Sequence, residues 1–101
     1  MIGVIVTIGP GANLDRQRAS AVAEKAAPMF EGMDGLRSKA FMWDDEAGMV
    51  TNTYVWDSES AARSFFTPEL KAQIIELYGV EPQVRFAEVS ALVDNNRVAV
   101  A

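Results

Sequence analysis

Apolar residues in this chain switch between two spacings, and the order of the switches restricts the fold more than any other feature. Ile2, Val4, Val6 and Ile8 alternate with Gly3, Ile5 and Thr7, the period-two pattern of a half-buried β-branched strand. Gly9-Pro10-Gly11 interrupts it; with neither a third glycine nor a GK[ST] ending, this reads as a strand-to-helix turn, not a phosphate loop. Ala19, Val22, Ala23, Ala26 and Phe30 then recur at helical spacing, with Asn13 as a suitable cap and Pro28 expected to end or kink the helix. Residues 36–44 and 49–56 return to the strand pattern, and Asp45-Glu46-Ala47-Gly48 between them has the length of a hairpin loop. Asp57 or Ser58 can cap the helix that carries Ala61, Ala62, Phe65 and Phe66. Thr67-Pro68-Glu69 restarts a helix with the stripe Leu70, Ile74, Leu77 and Tyr78, and Gly79 stops it. Residues 84–93 read as a last strand, and Val98 and Val100 beyond the Asp94-Asn95-Asn96 turn suit a short further one.

The order is therefore β-α-β-β-α-β, the ferredoxin-like split βαβ arrangement, an α+β fold. Right-handed crossovers then place the helices on one face of a four-stranded antiparallel sheet. We expect one domain over residues 1–94 and a tail over 95–101. Nearly every strand has apolar side chains on both faces, so the helix-free face calls for a cover, and two copies packed sheet to sheet supply it. The expected state is a homodimer.

Composition removes whole classes of chemistry. The chain has 101 residues, no histidine and no cysteine. That excludes thiolate catalysis, a Ser-His-Asp triad, an axial-His haem and the usual zinc sites. The net charge of −5 is spread evenly: seven acids and five bases stand in the first fifty residues, seven and four in the rest. With no basic run, nucleic acid is not the expected partner. No stretch reaches the ~20 apolar residues of a membrane span. The apolar start lacks the basic flank and cleavage site of a signal peptide, so a cytoplasmic location is expected.

If Asp44 pairs with Met49, then Trp43 faces Val50, Phe41 faces Asn52, Lys39 faces Tyr54 and Arg37 faces Trp56. One sheet face then gathers Arg37, Lys39, Phe41, Trp43, Asn52, Tyr54 and Trp56; Leu36, Ser38, Ala40, Met42, Met49, Thr51, Thr53 and Val55 take the other.

Gly35-Leu36-Arg37-Ser38-Lys39-Ala40-Phe41 resembles the GLxxKxW-like start of the second strand in the dimeric α/β-barrel superfamily. The run Thr53-Tyr54-Val55-Trp56, continuing to Ala61, Ala62 and Phe65, resembles that superfamily's Tyr-x-Phe/Trp-x-x-x-x-Ala-x-x-Phe/Tyr pattern, and Tyr78-Gly79-Val80 also fits. The likeness spans about residues 2–94 and is strongest to the YdhR-like monooxygenases. It implies dimers whose sheets close a barrel, with a pocket in each subunit between sheet and helices.

Asn52 and Trp56, four apart on one strand, are similar to the Asn-x-x-x-Trp pair of the antibiotic-biosynthesis monooxygenases of this superfamily. The resemblance implies oxidation of anthrone-like phenols by O2 without a cofactor. Asn52 would donate to a carbonyl or reduced oxygen species, and Trp56 would stack on the substrate and offer its indole N–H. Arg37, Lys39 and Arg85 are generic candidates to hold an anionic oxygen, Tyr54 and Tyr78 to relay protons, and Phe41 and Trp43 to line the pocket. Glu88 suits a general base or a rim ion pair. Each ring also suits a core or dimer contact, and Asn52 a buried amide bonded to backbone. Three functions stay open: a cofactor-independent monooxygenase acting on a small aromatic or polyketide-like substrate, a cyclase, isomerase or lyase on the same scaffold, and a non-catalytic small-molecule binding protein.

Overall fold

The computed structural model describes residues 1–95. The elements run β1 (Ile2–Ile8), α1 (Arg16–Phe30), β2 (Leu36–Ala40), β3 (Trp43–Asp44), β4 (Met49–Trp56), α2 (Glu59–Phe65), α3 (Pro68–Tyr78) and β5 (Gln83–Glu88). The sheet order is β2-β4-β1-β5, with β3 also paired to β4, and all pairs are antiparallel. This is the α+β, ferredoxin-like arrangement that the sequence pattern leads to.

Local chemistry starts and stops the helices. Ser58 Oγ accepts from Ala61 N at 3.1 Å, and Thr67 Oγ1 accepts from Leu70 N at 3.2 Å, so both short helices begin on hydroxyl caps. Gly79 takes the left-handed conformation (φ 78°) and its N–H donates to Ile75 O at 2.8 Å, which closes α3. The cap of α1 differs from expectation. Asp15, not Asn13, accepts from Arg18 N at 2.8 Å. The Asn13 N–H instead donates to Tyr78 O at 3.1 Å, tying the β1–α1 connection to the end of α3. Pro28 lies inside the last turn of α1, and the helix ends two residues later at Phe30.

Three strand expectations change. The expected second strand is split into β2 and β3, so the sheet has five strands; the Thr51 N–H to Met42 O bond at 3.0 Å holds the two pieces on one partner. Lys39 pairs with Tyr54 and Trp43 with Val50 as expected, but a bulge between Leu36 and Ser38 sets Leu36, not Arg37, opposite Trp56. One extra residue turns every side chain before it to the other face. Leu36 therefore packs on the core, while Arg37 is exposed and meets Asp57 at 3.7 Å. The bulge follows Gly35, whose positive φ of 79° comes with little room: a Cβ there would lie 2.8 Å from the Ala61 Cβ. Finally, β5 ends at Glu88, opposite Ile2, and the Val89 N–H still donates to Met1 O at 3.2 Å just beyond it. The expected strand at Val98 and Val100 lies outside the described residues.

The core sits on the helix-facing side of the sheet. Val4, Val6, Ile8, Val50, Tyr54 and Trp56 are buried there with Ala62 and Tyr78. On the opposite side Gly3, Ile5, Thr7, Thr51, Thr53 and Val55 are only partly covered. No helix among the described residues is long and apolar enough to cross a membrane.

Candidate functional site

The antiparallel β4 strand places Val50, Asn52, Tyr54 and Trp56 on the helix side, and β1 adds Val6 and Ile8. The helical stripes of α1 and α3 do not close fully onto this surface. A cavity of about 550 Å³ remains between them. Its wall is mostly apolar, with Leu14, Val22, Phe30, Met33, Ile74 and Leu77 among the contributors. That volume suits a small organic ligand of a few fused rings.

Among the sequence-derived candidates, Lys39, Phe41, Trp43, Asn52, Tyr54 and Tyr78 all line this cavity. Arg37 does not, because of the bulge. Nor does Arg85, which stands opposite Ile5 on the helix-free face of the sheet and is exposed. Glu88 is exposed at the end of β5, away from the cavity. Trp56 is 1% exposed and lies behind the cavity wall, not on it. Its ring is stacked on Tyr54 (centroids 6.1 Å, interplanar 14°) and packed by Phe65 at 5.3 Å and Phe66 at 6.2 Å. In this position Trp56 supports Tyr54 from behind.

Polar groups are few and uneven in their satisfaction. Asn52 Oδ1 is buried and has no hydrogen-bond partner among the described residues. An orphaned carbonyl oxygen costs about 1–3 kcal/mol unless a ligand group meets it. Trp56 Nε1 is likewise buried without a partner. Trp43 Nε1 donates to Asp45 Oδ1 at 3.1 Å, and that bond together with Arg16 holds the Asp45 carboxyl below its usual range. Lys39 Nζ donates to the Tyr54 hydroxyl at 2.7 Å. Burial draws the Lys39 ammonium down to about 7. Burial, and then the neighbouring Tyr78, push the Tyr54 phenol upward, so it stays protonated. Burial raises Tyr78 as well, with Arg18 opposing. No cluster of three or more metal-ligating side chains exists among the described residues.

Sequence reasoning missed Phe30 and Arg16 as part of the site. Phe30 is visible in the sequence only as the last member of the α1 stripe. In the structure its ring makes edge contacts with Phe41 at 5.8 Å and Tyr54 at 6.2 Å, and it lies 3.6 Å under the Lys39 ammonium. Arg16 lines the rim and is paired with Asp45 at 2.9 Å.

No family model and no curated protein matches the sequence. Solved structures do match. A monooxygenase from the gene ActVA-Orf6 of Streptomyces coelicolor, solved with nanaomycin D, aligns at a TM-score of 0.67 and 18% identity, covering 93% of this chain and 92% of that one. This chain has the fold of that monooxygenase. SnoaB, a cofactor-independent oxygenase from Streptomyces nogalater, aligns at 0.64 and 10% identity, over 91% and 95% of the two chains. A candidate antibiotic biosynthesis monooxygenase from Deinococcus radiodurans aligns at 0.63 and 16%, over 93% and 97%. At these identities the likeness concerns the backbone; the side chains of the cavity carry the argument about chemistry.

Proposed function

We propose that this protein is a cofactor-independent monooxygenase that oxidises a small aromatic or polyketide-like substrate with O2. The observation that carries this reading is the unsatisfied Asn52 carbonyl oxygen buried in the wall of a largely apolar 550 Å³ cavity. Flat aromatic faces suit the Phe30, Phe41 and Tyr54 rings, and a substrate hydroxyl completes the Asn52 amide. The Asn52 NH2 group can donate to the adjoining carbonyl, so the amide matches a keto–enol pair of oxygens. The substrate loses a proton, and the electron-rich enolate or phenolate passes an electron to O2. Over the whole reaction an activated CH2 plus O2 becomes C=O plus H2O, so the substrate supplies every reducing equivalent. The protein's part is to bind, orient and stabilise developing negative charge.

The same reading includes a second copy of the chain as the cover of the helix-free sheet face. Ile5, Thr7, Thr51, Thr53 and Val55 give that face a small, β-branched surface suited to sheet-on-sheet packing.

The test is O2 uptake by chelator-treated protein on a panel of anthrones, naphthols and hydroquinones. Uptake is expected in the wild type and is expected to fall at least ~100-fold in Asn52→Ala, the scale of losing one donor to a developing oxyanion. Equal uptake in both proteins would mean autoxidation in solution. Turnover of a poly-β-keto substrate without O2 would replace the oxygenase with a cyclase.

A further inference from the structure

The cavity holds a cation without an anion. Its titratable and charged lining consists of Lys39 and Tyr54 from the sheet, Arg16 from α1 and Tyr78 from α3; no carboxylate lines it. Arg16 is committed to Asp45. Lys39 has no acid within salt-bridge distance among the described residues. Its Nζ sits 3.6 Å from the Phe30 ring centre, 4.2 Å from Phe41 and 4.3 Å from Tyr54, with one firm hydrogen bond, to the Tyr54 hydroxyl. A lysine ammonium has three N–H donors, and ring faces satisfy the others only weakly. Tyr54 holds the amine in place but, as a neutral phenol, does not balance its charge.

Such a half-buried group has two ways to avoid an uncompensated charge. It can release its proton, which burial makes easier by drawing the ammonium down to about 7. It can also acquire an anion, and Lys39 lines the cavity beside the Phe30, Phe41 and Tyr54 rings, so a ligand held there can supply one. The register sets Lys39 opposite Tyr54, and Asn52 lies two residues from Tyr54 on the same face, about 7 Å along β4. One planar ligand can therefore reach both groups.

We propose that Lys39, held by Tyr54, is the base and anion anchor of the cavity: it takes the proton of an acidic phenol or enol and keeps the resulting oxyanion against its ammonium. The O–H bond breaks and its electron pair stays on oxygen. The proton joins the Nζ lone pair, and total charge is unchanged. The ligand class is thus a planar aromatic with one ionisable hydroxyl. An aliphatic carboxylate matches the charge but not the rings. This inference rests on the cavity being the substrate site, and it needs neither O2 nor turnover.

The probe is 7-hydroxycoumarin, whose phenol and phenolate absorb at different wavelengths, titrated with pH in the absence of O2 against the non-ionisable 7-methoxycoumarin. Bound to the wild type, 7-hydroxycoumarin is expected to ionise at least one pH unit below its value in water, a tenfold preference for the anion. Lys39→Arg keeps that shift, because it keeps the charge. Lys39→Met loses it while binding 7-methoxycoumarin within threefold of wild type, and Tyr54→Phe reduces it. A bound 7-hydroxycoumarin that titrates as in water, or that keeps its shift in Lys39→Met, would overturn the proposal. So would failure of both coumarins to bind at millimolar concentration. If Lys39→Met does not fold, Lys39→Gln, neutral and still polar, takes its place in the same titration, with the same results expected and overturning. A lowered ligand pKa with no O2 uptake on any substrate would sink the oxygenase and leave the anchor standing; uptake with no ligand shift would do the reverse.

Discussion

The two faces of this sheet come from the same strands and differ in almost every physical respect. On the helix side, β4 presents Val50, Asn52, Tyr54 and Trp56, and rings from α1, α2 and the α2–α3 junction pack against them. On the other side the same strand presents Thr51, Thr53 and Val55, opposite Thr7, Ile5 and Gly3. One face is varied, aromatic and holds a cavity; the other is small-grained and uniform. A cavity needs walls of uneven height, which large rings beside small aliphatics provide, whereas a flat run of β-branched residues suits another flat sheet. Alternation along a strand thus lets one chain present a ringed, uneven face and a flat β-branched one at the same time.

The comparison breaks most easily at Trp56. Trp56→Ala should cost about 3–5 kcal/mol in denaturant unfolding, because the ring is buried between Tyr54, Phe65 and Phe66. A loss under ~1 kcal/mol would mean that the helix side does not carry the stability assigned to it. On the opposite face, Val55→Glu should leave the chain folded and halve the particle mass seen by light scattering, since a charge on a dry sheet-to-sheet contact is strongly disfavoured. A wild type that already scatters as an 11.0 kDa particle at micromolar concentration would remove the second copy from the proposal.

The next effect is a dependence on pH. The folded-state value of Lys39 lies near 7, against 10.5 for the free side chain, so between those values the unfolded chain binds more protons. Stability contributed by this group therefore rises with pH through that window, and its penalty is fully present below about 7. Lys39→Met should melt higher than wild type near pH 6, with the gap closing toward pH 10.5. A gap that is flat with pH would show that the ammonium is not penalised by its surroundings. Smallest of all is Arg37→Ala. Exposed beside Asp57, Arg37 should contribute within ~0.5 kcal/mol and nothing to ligand binding. A large loss of binding there would return Arg37 to the cavity face.

Much of the architecture was legible in the residues. Hydroxyl caps at Ser58 and Thr67, the stop at Gly79 and the Asp44–Met49 register are local decisions, made by groups only a few positions apart. The candidate site was legible in part. Lys39, Phe41, Trp43, Asn52 and Tyr54 share a face because strand periodicity is two, and five of them line the cavity together. Where the reading failed, the cause was not local. The bulge follows Gly35, which lies close against Ala61 of another element, and no spacing within residues 36–44 announces it. Asp15, not Asn13, caps α1, while the Asn13 N–H donates to Tyr78 O, 65 positions along the chain.

By itself, then, the sequence determined the ferredoxin-like arrangement, the caps of α2 and α3, the stop of α3 and the alternation that separates a ringed face from a β-branched one. Those follow from backbone sterics and from side chains acting on their immediate neighbours. Only the tertiary structure decided that Arg37 turns outward, that Trp56 lies behind the cavity instead of in it, and that Phe30 joins Phe41 and Tyr54 around Lys39. Each depends on which surfaces three helices cover, and packing between segments far apart in the chain settles that.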